Sequence, residues 1–207
     1  KLCAEAAANN FAMVAVNYVQ TAVCKEFLKG TSVHVGAAIG FPLGQVSMEV
    51  KIFETKVAIA DGADEIDYVI NIGEAKEGNW DYIRNEMKEM VSLCKKSNVI
   101  SKVIFEICYL TEEEIVNIAK IAKDVQPDFV KTSTGFGTGG ATEDVVRLMK
   151  KTVGSCVNVK AAGGIRDWET CAKMIDAGAV RIGTSSSIKI LEEFEDWKRK
   201  KENNGSY

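Results

Sequence analysis

The chain has 207 residues, 46% hydrophobic and 27% charged, which suffices for one domain with a sizeable core. A formal net charge of −3, and no apolar run approaching the roughly 18 residues of a membrane span, argue against nucleic-acid and membrane partners. The six cysteines are scattered without a C-x-x-C pair, which speaks against zinc and against a disulfide framework. They read as reduced apolar fillers of a cytoplasmic protein, and no signal peptide is visible.

Strand-like and helix-like segments alternate throughout. Lys1–Asn10 reads as the end of a helix, followed by a strand at Ala12–Val16 and a helix at Tyr18–Leu28. The strand Val33–Ile39 carries the sole histidine, His34, near its start. A helix at Ser47–Ala60 stops before Gly62, a C-terminal glycine, and leads to the strand Glu65–Ile70. Trp80–Ser97 is helical, Val103–Cys108 a strand, and Thr111–Asp124 a helix whose Thr111 and Glu114 have capping-box spacing. Asp128–Lys131 and Val157–Lys160 are short strands around the helix Thr142–Thr152. Asp167 caps a helix at Trp168–Ala177, Gly178 follows it, Val180–Ile182 is the last strand, and an amphipathic helix runs from Ile188 to about Lys200. No linker divides residues 1–201, which form a single domain; Glu202–Tyr207 reads as a disordered tail.

The strands are near-continuous apolar runs, as in a parallel sheet covered on both faces. Such alternation gives either an open doubly wound sheet or a TIM (β/α)8 barrel. Polar residues near the ends of many strands favour the barrel: Asn17, Asp67, Asn71, Glu106, Lys131 and Lys160. An open sheet concentrates its site at one switch point, whereas a barrel gathers residues from many strand ends. Seven strands are counted, so the first strand of a barrel is expected to be missing from this chain.

Two lysines carry the chemistry. Lys131 and Lys160 each close an apolar run and are followed by small residues and glycine. A lysine can simply snorkel into water from such a position. In a dry pocket beside a second cation, however, an amine loses proton affinity and becomes able to attack a carbonyl and form a Schiff base. Asp67, in the middle of an apolar run, needs a partner if buried, and the two lysines would supply one; it can then work as a general acid–base. Glu106 is a weaker candidate, and His34 lies away from the active face of a barrel. The segments containing Gly163 and Gly164, and Gly183, Ser185 and Ser186, follow the last two strands, where barrels often bind phosphate. Thr132, next to Lys131, completes the candidate substrate-binding set. Arg166 could assist.

At these residues the chain resembles the deoxyribose-phosphate aldolases, class I aldolases with a TIM-barrel fold. The resembling segments are Ile39–Gly44, Gly62–Asp67, Val130–Gly140, Val159–Arg166 and Arg181–Ser186. The resemblance implies that Lys131 forms the Schiff base, that Lys160 lowers the pKa of that nucleophile, that Asp67 relays protons, and that Gly163, Gly164, Ser185 and Ser186 hold the substrate phosphate. The family's Asp-His-Thr segment on its first strand has no counterpart here, and Tyr18 stands where the family usually has a proline. The implied reaction is reversible cleavage of 2-deoxy-D-ribose 5-phosphate to D-glyceraldehyde 3-phosphate and acetaldehyde, with no cofactor or metal. Another class I sugar-phosphate aldolase and a non-catalytic sugar-phosphate-binding barrel are the alternatives. A small-molecule sugar phosphate is the expected partner, and a homo-oligomer is possible.

Overall fold

Seven short strands lie side by side in chain order in the computed structural model, which describes residues 1–204. They are β1 (Met13–Asn17), β2 (His34–Ile39), β3 (Glu65–Val69), β4 (Ile100–Ile104), β5 (Phe129–Lys131), β6 (Asn158–Ala162) and β7 (Arg181–Gly183). Every neighbouring pair is parallel. The helices are α1 (Leu2–Ala8), α2 (Thr21–Phe27), α3 (Met48–Ala60), α4 (Ile72–Lys76), α5 (Trp80–Lys96), α6 (Glu112–Val125), α7 (Glu143–Val153), α8 (Trp168–Asp176) and α9 (Ser187–Asn204). A doubly wound sheet reverses its strand order; this one never does, and the result is a curled TIM-type barrel lacking one strand. β1 and β7 are its edges, and a cavity of about 620 Å³ between them is lined by Met13, Ala15, Lys160 and Arg181.

The strands read as apolar runs because the helices cover their outer faces. All five residues of β3 are buried. On α5, Ile83, Met87, Met90, Val91 and Cys94 are buried, at the three- and four-residue spacing of a single helix face. This face packs with Tyr68, Val103 and Phe105 in the main core. Each such side chain contributes about 1.5–3 kcal/mol when fully buried.

The expected punctuation holds. Thr111 and Glu114 form a capping box, and Asp167 accepts from the Thr170 N–H. Gly62 and Gly178, just beyond α3 and α8, have φ of 94° and 109°, which disfavours a side chain. Several boundaries differ. β4 ends at Ile104 rather than Cys108, because Glu106 adopts the left-handed conformation (φ 56°) and a 3-10 turn follows at Ile107–Tyr109. Tyr18–Gln20 is a 3-10 turn, and α2 begins only at Thr21. The short helix α4 was not expected; the Asn71 side chain caps it by accepting from the Glu74 N–H. The supposed tail begins inside α9, which continues to Asn204, and residues 205–207 lie outside the described residues. Cys24, Cys94 and Cys171 are buried fillers as expected, whereas Cys156 is exposed.

Candidate active site

Strand alternation turns Glu65 and Asp67 of β3 to the same face. Neighbouring strands bring Lys102 of β4 opposite Asp67, and Lys131 of β5 opposite Lys160 of β6. The sequence-predicted trio of Asp67, Lys131 and Lys160 therefore comes together. Lys131 Nζ donates to Asp67 Oδ2 at 3.0 Å and Lys160 Nζ to the same oxygen at 2.9 Å. All three are at most 4% exposed.

Sequence reasoning missed the fourth member. Lys102 is fully buried and donates to Asp67 Oδ1 at 2.5 Å, while also pairing with Glu65. A strand expected from Val103 leaves Lys102 outside it, whereas β4 starts at Ile100. The available signal was a charged residue at an inward position of an apolar run, the same signal that marked Asp67.

Burial alone would raise the Asp67 pKa, but the three ammonium groups, Lys102 foremost, outweigh it and hold the carboxyl well below the usual aspartate range. Burial pushes the Lys160 ammonium down; Asp67 opposes this, Lys131 and Lys102 add to it, and the net value is about 7. Lys160 thus has a pKa near neutrality and shares one carboxylate oxygen with Lys131.

The trio opens into a cavity of about 650 Å³. Its wall includes Gly163, Gly164, Gly183 and Ser185, together with Arg166 and Asn17. Gly163 has a φ of 88°, and a Cβ there would lie 2.9 Å from Gly140 Cα, so the loops after β5 and β6 meet only because both positions are glycine. Ser186 lines the seam between β1 and β7 instead, and its N–H donates to Thr184 Oγ1 at 2.9 Å. Thr132 does not line the cavity. Its hydroxyl donates to the Ala162 carbonyl at 2.9 Å and accepts from the Ala162 N–H at 3.0 Å, which ties β5 to β6.

One aromatic ring overhangs Lys131, and a second packs against it. The Phe41 ring centroid is 5.5 Å from Lys131 Nζ, within cation–π range, and Phe136 meets Phe41 edge-on at 6.3 Å. Fully buried Glu106 anchors the loop that carries Phe136, its carboxylate accepting from the Thr134 N–H and hydroxyl. Burial raises the Glu106 pKa, against the opposing effect of the Thr134 bonds and Lys131. His34 lies at the opposite end of the barrel, its Nδ1 2.8 Å from Glu65 Oε1.

The sequence profile of the DeoC/LacD family aldolases matches residues 1–192. The deoxyribose-phosphate aldolase of Lactobacillus acidophilus is 56% identical over 192 residues, covering 93% of this chain and 81% of that protein. That of Thermococcus gammatolerans is 52% identical, covering 93% and 86%. Among solved structures, the tetrameric deoxyribose phosphate aldolase of Aeropyrum pernix superposes with a TM-score of 0.86 at 30% identity, covering 93% of this chain and 81% of that one.

Proposed function

The chain belongs to the DeoC/LacD aldolase family, and on that premise we propose that it cleaves 2-deoxy-D-ribose 5-phosphate reversibly to D-glyceraldehyde 3-phosphate and acetaldehyde through a Schiff base on Lys131. The relatives named deoxyribose-phosphate aldolase support the reaction. The observation that carries the mechanism is the pair of buried amines sharing one oxygen of Asp67.

Neutral Lys131 attacks C1 of the open-chain aldehyde, and the carbinolamine loses water to give a protonated imine. Asp67 and Lys160 move the protons. The C3 hydroxyl gives up its proton, the C2–C3 bond breaks, and its electron pair flows into the iminium to leave an enamine. D-Glyceraldehyde 3-phosphate departs. Protonation at C2 and hydrolysis then release acetaldehyde and restore the amine. The iminium supplies the electron sink, so this carbon–carbon lyase reaction needs no metal. Gly163, Gly164, Gly183 and Ser185 form the wall against which the phosphate is held, with N–H and hydroxyl donors. Thr132 supports this wall from behind.

Borohydride added with deoxyribose 5-phosphate should reduce the imine and label Lys131, as read by peptide mapping. An adduct on Lys160 would reverse the two roles. No adduct would overturn the Schiff-base reading.

The phosphate wall has its own test. Ser185→Asp places a carboxylate in a partly desolvated loop, where like charges a few ångströms apart cost a few kcal/mol. The kcat/KM for deoxyribose 5-phosphate should fall roughly tenfold or more, at about 1.4 kcal/mol per decade. Unphosphorylated deoxyribose should lose little; an equal loss for both sugars would mean that the loop does not read phosphate.

We place the reaction in the cytoplasm, which the six unpaired thiols favour. No helix among the described residues is long and apolar enough to cross a membrane. Self-association fits the exposed apolar side chains of Val19, Val23 and Phe27, around and on α2, and of Val50 and Phe53 on the neighbouring α3. The Aeropyrum pernix relative is a tetramer.

A further inference from the structure

The lysine cluster holds more positive charge than Asp67 can balance. Three ammonium groups, Lys102, Lys131 and Lys160, surround one carboxylate. The second anion in contact with them is Glu65, two residues earlier on β3 and fully buried. Glu65 touches neither Lys131 nor Lys160. It pairs with Lys102, so that this ammonium bridges two carboxylates.

Two groups face Glu65 at the lower end of the barrel. Arg181 Nη1 of β7 is 3.4 Å from Oε2, and His34 Nδ1 of β2 is 2.8 Å from Oε1. With Lys102 of β4 and Asp67 of β3 itself, these are the charged and titratable groups that meet it among the described residues. A carboxylate buried this deeply would have to be neutral if it lacked partners. Here Lys102 and Arg181 outweigh the burial, and its pKa is lowered.

We propose that Glu65 is a positioning residue for the aldolase reaction: by holding Lys102 from below it leaves the second oxygen of Asp67 to Lys131 and Lys160, and its charge sets the pH at which that pair gives up a proton. This rests on the Schiff-base reading above. With Glu65 present, three lysines face two carboxylates, and Arg181 stands beside Glu65 as a further cation. Lys160, whose pKa is lowered to about 7, gives up its proton near neutral pH. Without Glu65, three cations face Asp67 alone. Lys102 then draws on Asp67 only, and the remaining amines shed protons at lower pH.

Glu65→Gln keeps the shape and removes the charge. The acid limb of its kcat/KM profile should move to lower pH by about one unit. Its kcat should fall at least tenfold with KM within about twofold of wild type, because a carboxylate held by Lys102 relays protons poorly. Glu65→Asp keeps the charge and should keep the limb. Arg181→Gln, at a partly exposed position, removes a cation that offsets Glu65 and should move the limb the other way by a smaller step. This variant keeps the inference testable should Glu65→Gln not fold. In a Lys102→Met background, Glu65→Gln should add little, since Glu65 acts through Lys102. An unmoved limb in both Glu65→Gln and Arg181→Gln would overturn the inference, as would a loss of kcat with no change in the pH profile, which a purely structural residue would give. Wild-type enzyme run alongside with borohydride separates the two ideas: if it forms no adduct the Schiff-base reading falls and takes this inference with it, whereas an adduct on Lys131 with an unmoved limb removes Glu65 alone.

Discussion

Asp67→Asn is expected to cost about 10²–10⁴-fold in kcat, and to destabilise the fold by about 3–5 kcal/mol. The carboxylate accepts from three buried lysines at once. An asparagine offers one acceptor oxygen and turns an NH₂ toward ammonium groups. Lys131 and Lys160 then share no anion, and the proton path between them is broken. The stability loss is large because removing one partner leaves uncompensated charge in a dry interior. For a chain of this size it corresponds to a fall in Tm of roughly 10 °C. The acid side supplies a second readout. The Asp67 pKa is held well below its ordinary value, so its contribution is fully present above the unfolded aspartate range and is lost as pH falls through the folded value. Wild type should therefore lose stability on acidification more steeply than Asp67→Asn. Thermal melts across the acid range and steady-state kinetics check both parts. A variant with near-native turnover would remove Asp67 from the proton relay.

The sequence revealed what depends on local pattern. Strand–helix alternation, the capping box at Thr111 and the glycines after α3 and α8 are each encoded within a few residues, and the structure keeps them. Lys131, Lys160 and Asp67 stood out because charged residues interrupted apolar runs. What stayed hidden depends on contacts between distant segments. Lys102 lies beside Asp67 only through the β3–β4 register, and its charge partner Glu65 comes from the same pairing of strands. The left-handed backbone of Glu106 cannot be read from its neighbours, since its carboxylate is bonded to Thr134, 28 positions away. That contact also ends β4 early. Thr132 looked like a substrate ligand because it follows Lys131, yet a strand turns successive side chains to opposite faces, and Thr132 binds Ala162 instead. Ser185 and Ser186 follow the end of β7 and diverge there: Ser185 lines both the cavity and the seam, whereas Ser186, just before α9, lines the seam alone.

Lys160→Leu should lower turnover by about 10²–10⁴-fold and also change how stability depends on pH. Its ammonium sits at about 7 in the folded protein, far below the value of roughly 10.4 for an unfolded lysine. Between these two values the unfolded chain binds the proton and the folded chain does not. Stability therefore rises with pH across that window, the reverse of a lysine that gains an anion on folding. Below pH 7 both states hold the proton, and the folded protein carries the full cost of a buried cation. In Lys160→Leu this contribution disappears, and urea unfolding between pH 7 and 9.5 should show a flatter slope than wild type. Kinetics give an independent sign. The amine that remains on Asp67 Oδ2 loses a cationic neighbour, so the acid limb of kcat/KM should move to higher pH, although the apolar leucine opposes this by excluding water. Because Glu65→Gln is expected to move the same limb to lower pH, the two variants form an opposed pair. Native-like turnover together with an unchanged slope would show that Lys160 neither shares the proton nor carries the charge assigned to it.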